Sequence, residues 1–406
     1  MKASDLSTEL SGERIKSFDG PPLRIALLAH GLRVAGGITV GKGLLAALAR
    51  VAPQHAYYVT IPPGLGYEEI CQAFPHCQVF TYQHRGNLLH RLRDERHLIA
   101  AKVRAFKPDL VWALGNVRIS RPGCPQALIL VNPHRVYPVL HAGPISRVER
   151  VIRLLRNSHL RRSLSDVDMV FCQTQTMRRR FIDQYGYRGR VEVCPTAGAV
   201  QNSAPGRVEP PAIFNRLQGK FVLFCLCNYY THKNLEGLID TFTRYRNELR
   251  DYVILLSILP EQSKKARIFL SRIEKEGVGE NIINLGQRGH PHPELAGYYQ
   301  HSQGMILPTL LESYSSTYIE AMQSSCPILT SDLDFAREVC GDAAVYFNPW
   351  EPRSIRDAIL RLKNETGLAD LLIERGKTLL AKFPRSWDEI ARNAMDQLQR
   401  LQKDLE

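Results

Sequence analysis

Two glutamates separated by seven residues, Glu312 and Glu320, are the side chains from which the chemistry of this chain can first be read. They lie in the stretch PTLLESYSSTYIEAMQSSCPILTSDLDFAREVCGDAAVYFN, residues 308–348. Ile306 and Leu307 end an apolar run, and Ser313, Tyr314, Ser315 and Ser316 make a small polar loop. Thr317, with Glu320 three residues on, has the spacing of a capping box at the start of a helix. Pro327, Ile328 and Leu329 then open a buried strand. A loop that leaves the carboxyl end of a strand and opens a helix offers backbone N–H groups and a positive dipole end to an anion. Carboxylates do not bind phosphate. Glu312 and Glu320 are therefore read as holding hydroxyls on either side of a diphosphate, such as those of a sugar ring and a ribose.

The elements that must position such a site repeat along the chain. LRIALLA (23–29) is a buried-strand run, followed by Gly36, Gly37 and an apolar helical pattern through Leu48. Strand, glycine turn and helix begin a doubly wound α/β unit. AYYVTI (56–61) and residues 78–82 read as strands, and Leu88, Leu92, Ile99, Val103 and Phe106 repeat at helical spacing. ALILV (127–131) is a strand ending in Asn132-Pro133-His134-Arg135, a polar loop at a strand carboxyl end, where ligands bind in such folds. FVLFCLC (221–227) opens a second set of strands and ends in Asn228-Tyr229-Tyr230-Thr231-His232-Lys233-Asn234. Pro/Gly-rich SAPGRVEPP (203–211) is the expected linker. The expected divisions are a mobile tail over 1–20, a first domain over 21–205, a second over 206–385 and a last helix over 386–406.

Composition narrows the class. A chain of 406 residues holds about two domains of roughly 200 residues. No apolar run reaches the roughly 20 residues of a membrane-spanning helix, and the first residues lack a hydrophobic signal region. Nine scattered cysteines suggest reduced thiols in a cytoplasmic protein. Charge is uneven: residues 1–205 carry 28 Lys+Arg against 14 Asp+Glu, and residues 206–406 carry 25 against 26. A basic first half points to an anionic partner, whether a membrane surface, a polyanionic substrate or nucleic acid. Over 143–163, Val148, Val151, Ile152 and Leu155 share a helix face, and Arg147, Arg150, Arg153 and Arg156 occupy the rest. That basic amphipathic helix suits an anionic membrane interface.

Glu312-x7-Glu320, the EAM that starts at Glu320, and REVCGDAAVYFNP (337–349) together resemble the second half of retaining glycosyltransferases of family 4. The resemblance implies the α/β GT-B fold, two doubly wound Rossmann-like domains facing across a cleft. It implies a nucleotide-sugar donor on the second domain and a lipid-linked or oligosaccharide acceptor on the first. Residue by residue, Lys233 in His-Lys-Asn-Leu is similar to the family's donor-phosphate lysine at the opening of the helix that follows. His134, with Asn132 as the alternative, is similar to a histidine over the donor sugar. Gly36 and Gly37 take the position facing the donor phosphate or acceptor, and Gln287 and Arg288 take a turn against the base. The loop at Tyr314, Ser315 and Ser316 would hold phosphate or sugar. Two departures stand out. Ser313-Tyr314-Ser315 replaces a glycine-aromatic-glycine loop, and Asn228 stands where the family has an arginine on phosphate.

The expected reaction is sugar transfer with retention of configuration, in cell-surface polysaccharide or glycolipid synthesis. Lys233 would neutralise the leaving diphosphate, Glu312 would hold a donor-sugar hydroxyl near the reacting carbon, and Glu320 would hold the ribose. Front-face attack, with the leaving phosphate taking the acceptor proton, is implied by the family resemblance and is preferred to a carboxylate nucleophile. No cofactor, no metal and no nucleic-acid partner is expected. The alternatives are a catalytically silent nucleotide-sugar-binding protein and a nucleic-acid-binding protein using the basic half. The expected location is cytoplasmic and peripheral on the inner face of the membrane.

Overall fold

The computed structural model describes residues 21–33, 35–83, 88–115, 118–138, 146–197, 208–286 and 292–405. The expected tail and the boundary at 205–206 lie outside them. Short aliphatic runs build two sheets. The first holds β1 (Arg24–Leu28), β2 (Ala56–Ile61), β3 (Cys77–Thr81), β4 (Leu110–Ala113), β5 (Gln126–Leu130), β6 (Met169–Cys172) and β7 (Arg190–Val193). Its order is β3-β2-β1-β4-β5-β6-β7. The second holds β8 (Phe221–Cys225), β9 (Tyr252–Leu256), β10 (Ile282–Asn284), β11 (Gly304–Leu307), β12 (Ile328–Ser331) and β13 (Ala344–Phe347), in the order β10-β9-β8-β11-β12-β13. The described pairings are all parallel.

Parallel strands covered on both faces read as unbroken apolar runs, and β4 and β5 are buried at every position. The edge strand β3 alternates with polar residues and is largely exposed. In each sheet the order reverses beside the first strand. Loops leaving β1 and β4, and likewise β8 and β11, diverge and open a crevice at the strand carboxyl ends.

Four local expectations are corrected. The helix holding Glu320 spans Ser316–Gln323 and its N-cap is Ser315, so Thr317 lies inside the first turn rather than capping it. Gly36 and Gly37 lie inside the helix Ala35–Val51, not in a turn before it. Lys233 lies in a 3-10 turn, Thr231–Lys233, with the α-helix starting only at Glu236. The helical pattern over 88–106 is interrupted by a π-helical segment, Glu95–Ile99, between Leu88–Asp94 and Ala100–Phe106.

The last helix, Trp387–Leu405, belongs by packing to the first domain. Its stripe Ile390, Ala394, Met395, Leu398 and Leu401 is buried in one core with Leu44, Leu45 and Leu48 of the helix Ala35–Val51. Contact is closest at Gly43, where a Cβ would overlap the Trp387 indole.

Three contacts hold the domains together beside the cleft. Arg180 pairs with Asp334 at 2.6 Å, and the Tyr137 hydroxyl donates to the other oxygen of Asp334 at 3.0 Å. Glu338 accepts from the N–H groups of Gln175 (2.6 Å) and Thr176 (2.7 Å), placing a carboxylate on the positive end of the helix Gln175–Tyr185. Thr174, which caps that helix through Met177 N–H at 3.2 Å, also donates to the Ser313 carbonyl at 3.3 Å. All nine cysteines are free. Among the described residues no helix is long and apolar enough to cross a membrane.

Overpacking a rigid indole costs about 1–3 kcal/mol. Gly43→Ala is expected to lower stability by that amount, read as a lower midpoint in thermal or denaturant unfolding. An unchanged midpoint would show that the last helix does not depend on this contact.

Candidate active site

Both crevices open into one cleft of ≈ 1590 Å³, lined from both domains. On the second domain, the loops after β8 and β11 meet. Lys233 Nζ donates to Glu312 Oε1 in an ion pair whose side chains are 13% and 12% exposed. The loops are tied by backbone as well: the His232 carbonyl accepts from Leu310 N–H at 2.7 Å and from the Thr309 hydroxyl at 3.2 Å. Burial works against the charge on Lys233, but Glu312 overrides it and holds the ammonium above its usual value. Asn234 ends the turn in the left-handed region, φ 53°, and its amide donates to the Pro349 carbonyl at 2.7 Å.

Glu312 and residues 313–317 form the cleft wall next to this pair. Ser315 adopts φ 63° without a side-chain cap hydrogen bond, so the helix Ser316–Gln323 begins uncapped beside the cleft. A left-handed conformation costs a non-glycine residue about 1–2 kcal/mol, and this is the second small position of the Ser-Tyr-Ser loop. Tyr314 contributes to the lining, yet its ring is buried edge-on against Phe383. Glu320 is 3% exposed, accepts from the Tyr299 hydroxyl at 3.3 Å and is not among the cleft-lining residues. Asn228 lines the cleft, and Tyr229 after it is clamped by Gln262 through both its N–H and its carbonyl, each at 2.9 Å.

On the first domain, Gly36 and Gly37 line the cleft, and no atom lies within 4 Å of where a Cβ of Gly36 would sit. His134 sits in the turn Pro133–Arg135 after β5, its N–H donating to the Asn132 side chain at 3.0 Å. Its ring meets His232 of the second domain edge-on, with centroids 5.2 Å apart. Arg288 and Gln287 lie outside the described residues.

The four arginines assigned to one docking face divide. Arg153 and Arg156 line the cleft, and Arg153 is only 13% exposed and paired with Glu149 at 2.6 Å. Arg147 and Arg150 are exposed and are not cleft residues. Arg153 is thus not a surface residue: Glu149, one helical turn before it, draws it into the cleft wall. Of the apolar positions on this helix, Val148 and Val151 are exposed at 69% and 53%, whereas Leu155 joins the cleft lining and Leu160 is buried.

Sequence reasoning missed two residues on the second-domain side. His232 precedes Lys233 but shows its role only through its contact with His134. Lys265, at the start of the helix Lys264–Lys275, adds a second lysine to the second-domain side of the cleft.

Comparison with known proteins adds the following. The structure aligns with sucrose-phosphate synthase of Thermosynechococcus elongatus at a TM-score of 0.71, with 16% identity over 95% of this chain and 100% of that one. It aligns with Anabaena HepE in complex with UDP at 0.69, with 15% identity over 93% of this chain and 100% of that one. The fold is GT-B. Within this GT-B chain, residues 220–365 match the family model of Glycosyl transferases group 1. A stretch of 90 residues is 32% identical to the O-antigen chain mannosyltransferase RfbU of Salmonella typhimurium. That match covers 22% of this chain and 24% of the mannosyltransferase.

The paired histidines make the cleft acid-sensitive. Burial first, then Arg153 and His232, push His134 down to about 3. Burial, then Lys233 and Arg153, push His232 down to about 3. An unfolded imidazole titrates near pH 6.5. The folded values are lower, so unfolding takes up protons below pH 6.5. Stability is full above that pH and declines as pH falls towards 3. The unfolding midpoint is expected to drop between about pH 7.5 and about pH 5, with a smaller drop in His134→Asn or His232→Asn. Equal drops in wild type and variants would contradict this.

Proposed function

We propose that the protein is a retaining glycosyltransferase, of the kind found in family 4, that moves a sugar from a nucleoside-diphosphate sugar to an acceptor. One observation carries the reading. The Lys233–Glu312 pair sits in the crevice between β8 and β11, beside an uncapped helix N-terminus and within the stretch matched by the group 1 family model. Crevices at strand carboxyl ends are where such sheets bind ligands, and a lysine beside free N–H groups is the chemistry of a diphosphate site.

Lys233 exchanges Glu312 for the donor diphosphate and neutralises charge as the sugar–phosphate bond breaks. Glu312, released, holds a hydroxyl of the donor sugar. The backbone of 314–316 holds phosphate or sugar, Gly37 lets the donor approach the first domain closely, and Asn228 contacts phosphate alongside Lys265. Glu320, buried outside the cleft lining, is left out of the donor contacts. Attack comes from the face the leaving group departs, and a phosphate oxygen takes the acceptor's proton. His134, neutral, hydrogen-bonds the sugar rather than carrying charge. HepE in its structures holds UDP or UDP-glucose, and RfbU is named a mannosyltransferase of O-antigen chains; both support a nucleotide-sugar donor, and the second supports polysaccharide assembly.

Calorimetry with UDP, GDP and their sugar conjugates tests the donor site. One nucleotide should bind wild type and lose affinity in Lys233→Ala, with turnover falling about 10²–10³-fold. The product anomer, read by NMR, should keep the donor's configuration. Folded protein that binds no nucleotide would overturn the reading, and inversion would overturn the retaining mechanism.

We also assign the outward face of the helix Arg147–Ser163 to an anionic membrane. Val148, Val151 and Leu154 are exposed on it, with Arg147 and Arg150 beside them. Each arginine near such a surface adds about 1 kcal/mol, enough for reversible docking that would bring a lipid-linked acceptor to the cleft. Val148→Asp with Val151→Asp should abolish co-sedimentation with anionic vesicles. Binding that survives this pair would remove the helix from the docking role.

A further inference from the structure

The first-domain wall of the cleft carries more positive charge than its own carboxylates can balance. Three of its arginines have partners: Arg91 with Glu95 at 2.6 Å, Arg118 with Asp166 at 3.3 Å and Arg153 with Glu149 at 2.6 Å. Arg93, Arg96, Arg135, Arg156 and Arg162 line the same cleft, and none has a carboxylate within 4.0 Å among the described residues. Of these, Arg135 is the most constrained. It follows His134 in the turn after β5, and its guanidinium donates to a neutral amide, Asn157, at 3.3 Å.

These charges act on one another. Burial holds the Arg135 guanidinium below its usual value, and Arg156 and Arg91 lower it further. His159, on the same wall, is pushed down by burial and then by Arg118, Arg135 and Arg162. Mutual repulsion between cations in a partly desolvated cleft destabilises the unliganded protein, and a multivalent anion relieves it. Guanidinium forks gathered on one cleft wall match phosphate oxygens bidentately. The cleft of ≈ 1590 Å³ also exceeds the roughly 300–1,000 Å³ of a site for one ligand.

We infer that the acceptor carries a phosphate or diphosphate, held on the first-domain wall by Arg135 and Arg156 with Arg91 beside them. This rests on the glycosyltransferase reading for the word acceptor, but the anion site stands on the arginines alone. Because Arg135 adjoins His134, and His134 touches His232 next to Lys233, the anionic group sits one residue away from the donor side of the cleft. The acceptor hydroxyl is then delivered from a molecule anchored by its phosphate. A lipid diphosphate and a soluble sugar phosphate share this chemistry.

Inorganic pyrophosphate is titrated calorimetrically into wild type, Lys233→Ala, Arg135→Gln and Arg156→Gln. Affinity should persist in Lys233→Ala and fall about tenfold or more in each arginine variant, the loss of one charge-assisted contact. Nucleotide affinity should show the reverse pattern. Arg156 is exposed, so its variant keeps the test open if Arg135→Gln does not fold. Equal pyrophosphate affinity in wild type and Arg156→Gln would overturn the inference. Nucleotide binding absent throughout, with the arginine pattern intact, would overturn the donor reading and leave the anion site standing. Farnesyl diphosphate and glucose 6-phosphate then distinguish the sources. Preference for either supports the site, and a hexuronate bound in place of both overturns it.

Discussion

The ion pair between Lys233 and Glu312 is the constraint on which the candidate site depends. It joins two loops that leave neighbouring strands, β8 and β11, at the point where the sheet order reverses. Two nearly buried opposite charges hold each other in place, and removing one strands the other in a poorly solvated position. The hydrogen bonds from Leu310 and Thr309 to the His232 carbonyl set the same two loops in register. The pair therefore ties the two loops together, and the cleft keeps its shape.

Around that pair the two domains are clamped at few points, all near the cleft. Asp334 is gripped by Arg180 and Tyr137, and Glu338 sits on the N-terminal N–H groups of the helix Gln175–Tyr185. The Thr174 hydroxyl reaches the Ser313 carbonyl, so the loop beside Glu312 is held partly by the other domain. The last helix adds a longer tie, its apolar stripe completing the core of the first domain. The Lys233–Glu312 loops of one domain and the charged wall of the other are thus set at a defined separation.

The opposite wall is shaped by an irregular stretch. A π-helical segment, Glu95–Ile99, interrupts the helix after β3, and such segments recur at functional sites. Glu95 and Arg96 face the cleft from it, and Arg91 pairs with Glu95. Together with arginines from the turn after β5 and from the helix Arg147–Ser163, they make a wall whose charge calls for a ligand.

Sequence alone was enough for the alternating strands and helices, because buried parallel strands must be continuous apolar runs such as LRIALLA and ALILV and nothing local competes with them. It also singled out Glu312 and Lys233, which the fold brings into one ion pair at the cleft. Fine backbone detail was not legible. The helix began uncapped after Ser315, Lys233 fell in a 3-10 turn and the 88–106 helix took a π segment, because one hydrogen bond more or less decides such details and tertiary packing tips the balance. The arginines show the limit most clearly. A helical wheel places Arg147, Arg150, Arg153 and Arg156 around one helix but does not say which side meets the domain. Only the tertiary structure turned Arg153 and Arg156 into the cleft, left Val148 and Val151 in solvent, and brought Arg135 and Arg91 to the same wall, since charges distant in sequence share a wall only when the fold brings them together.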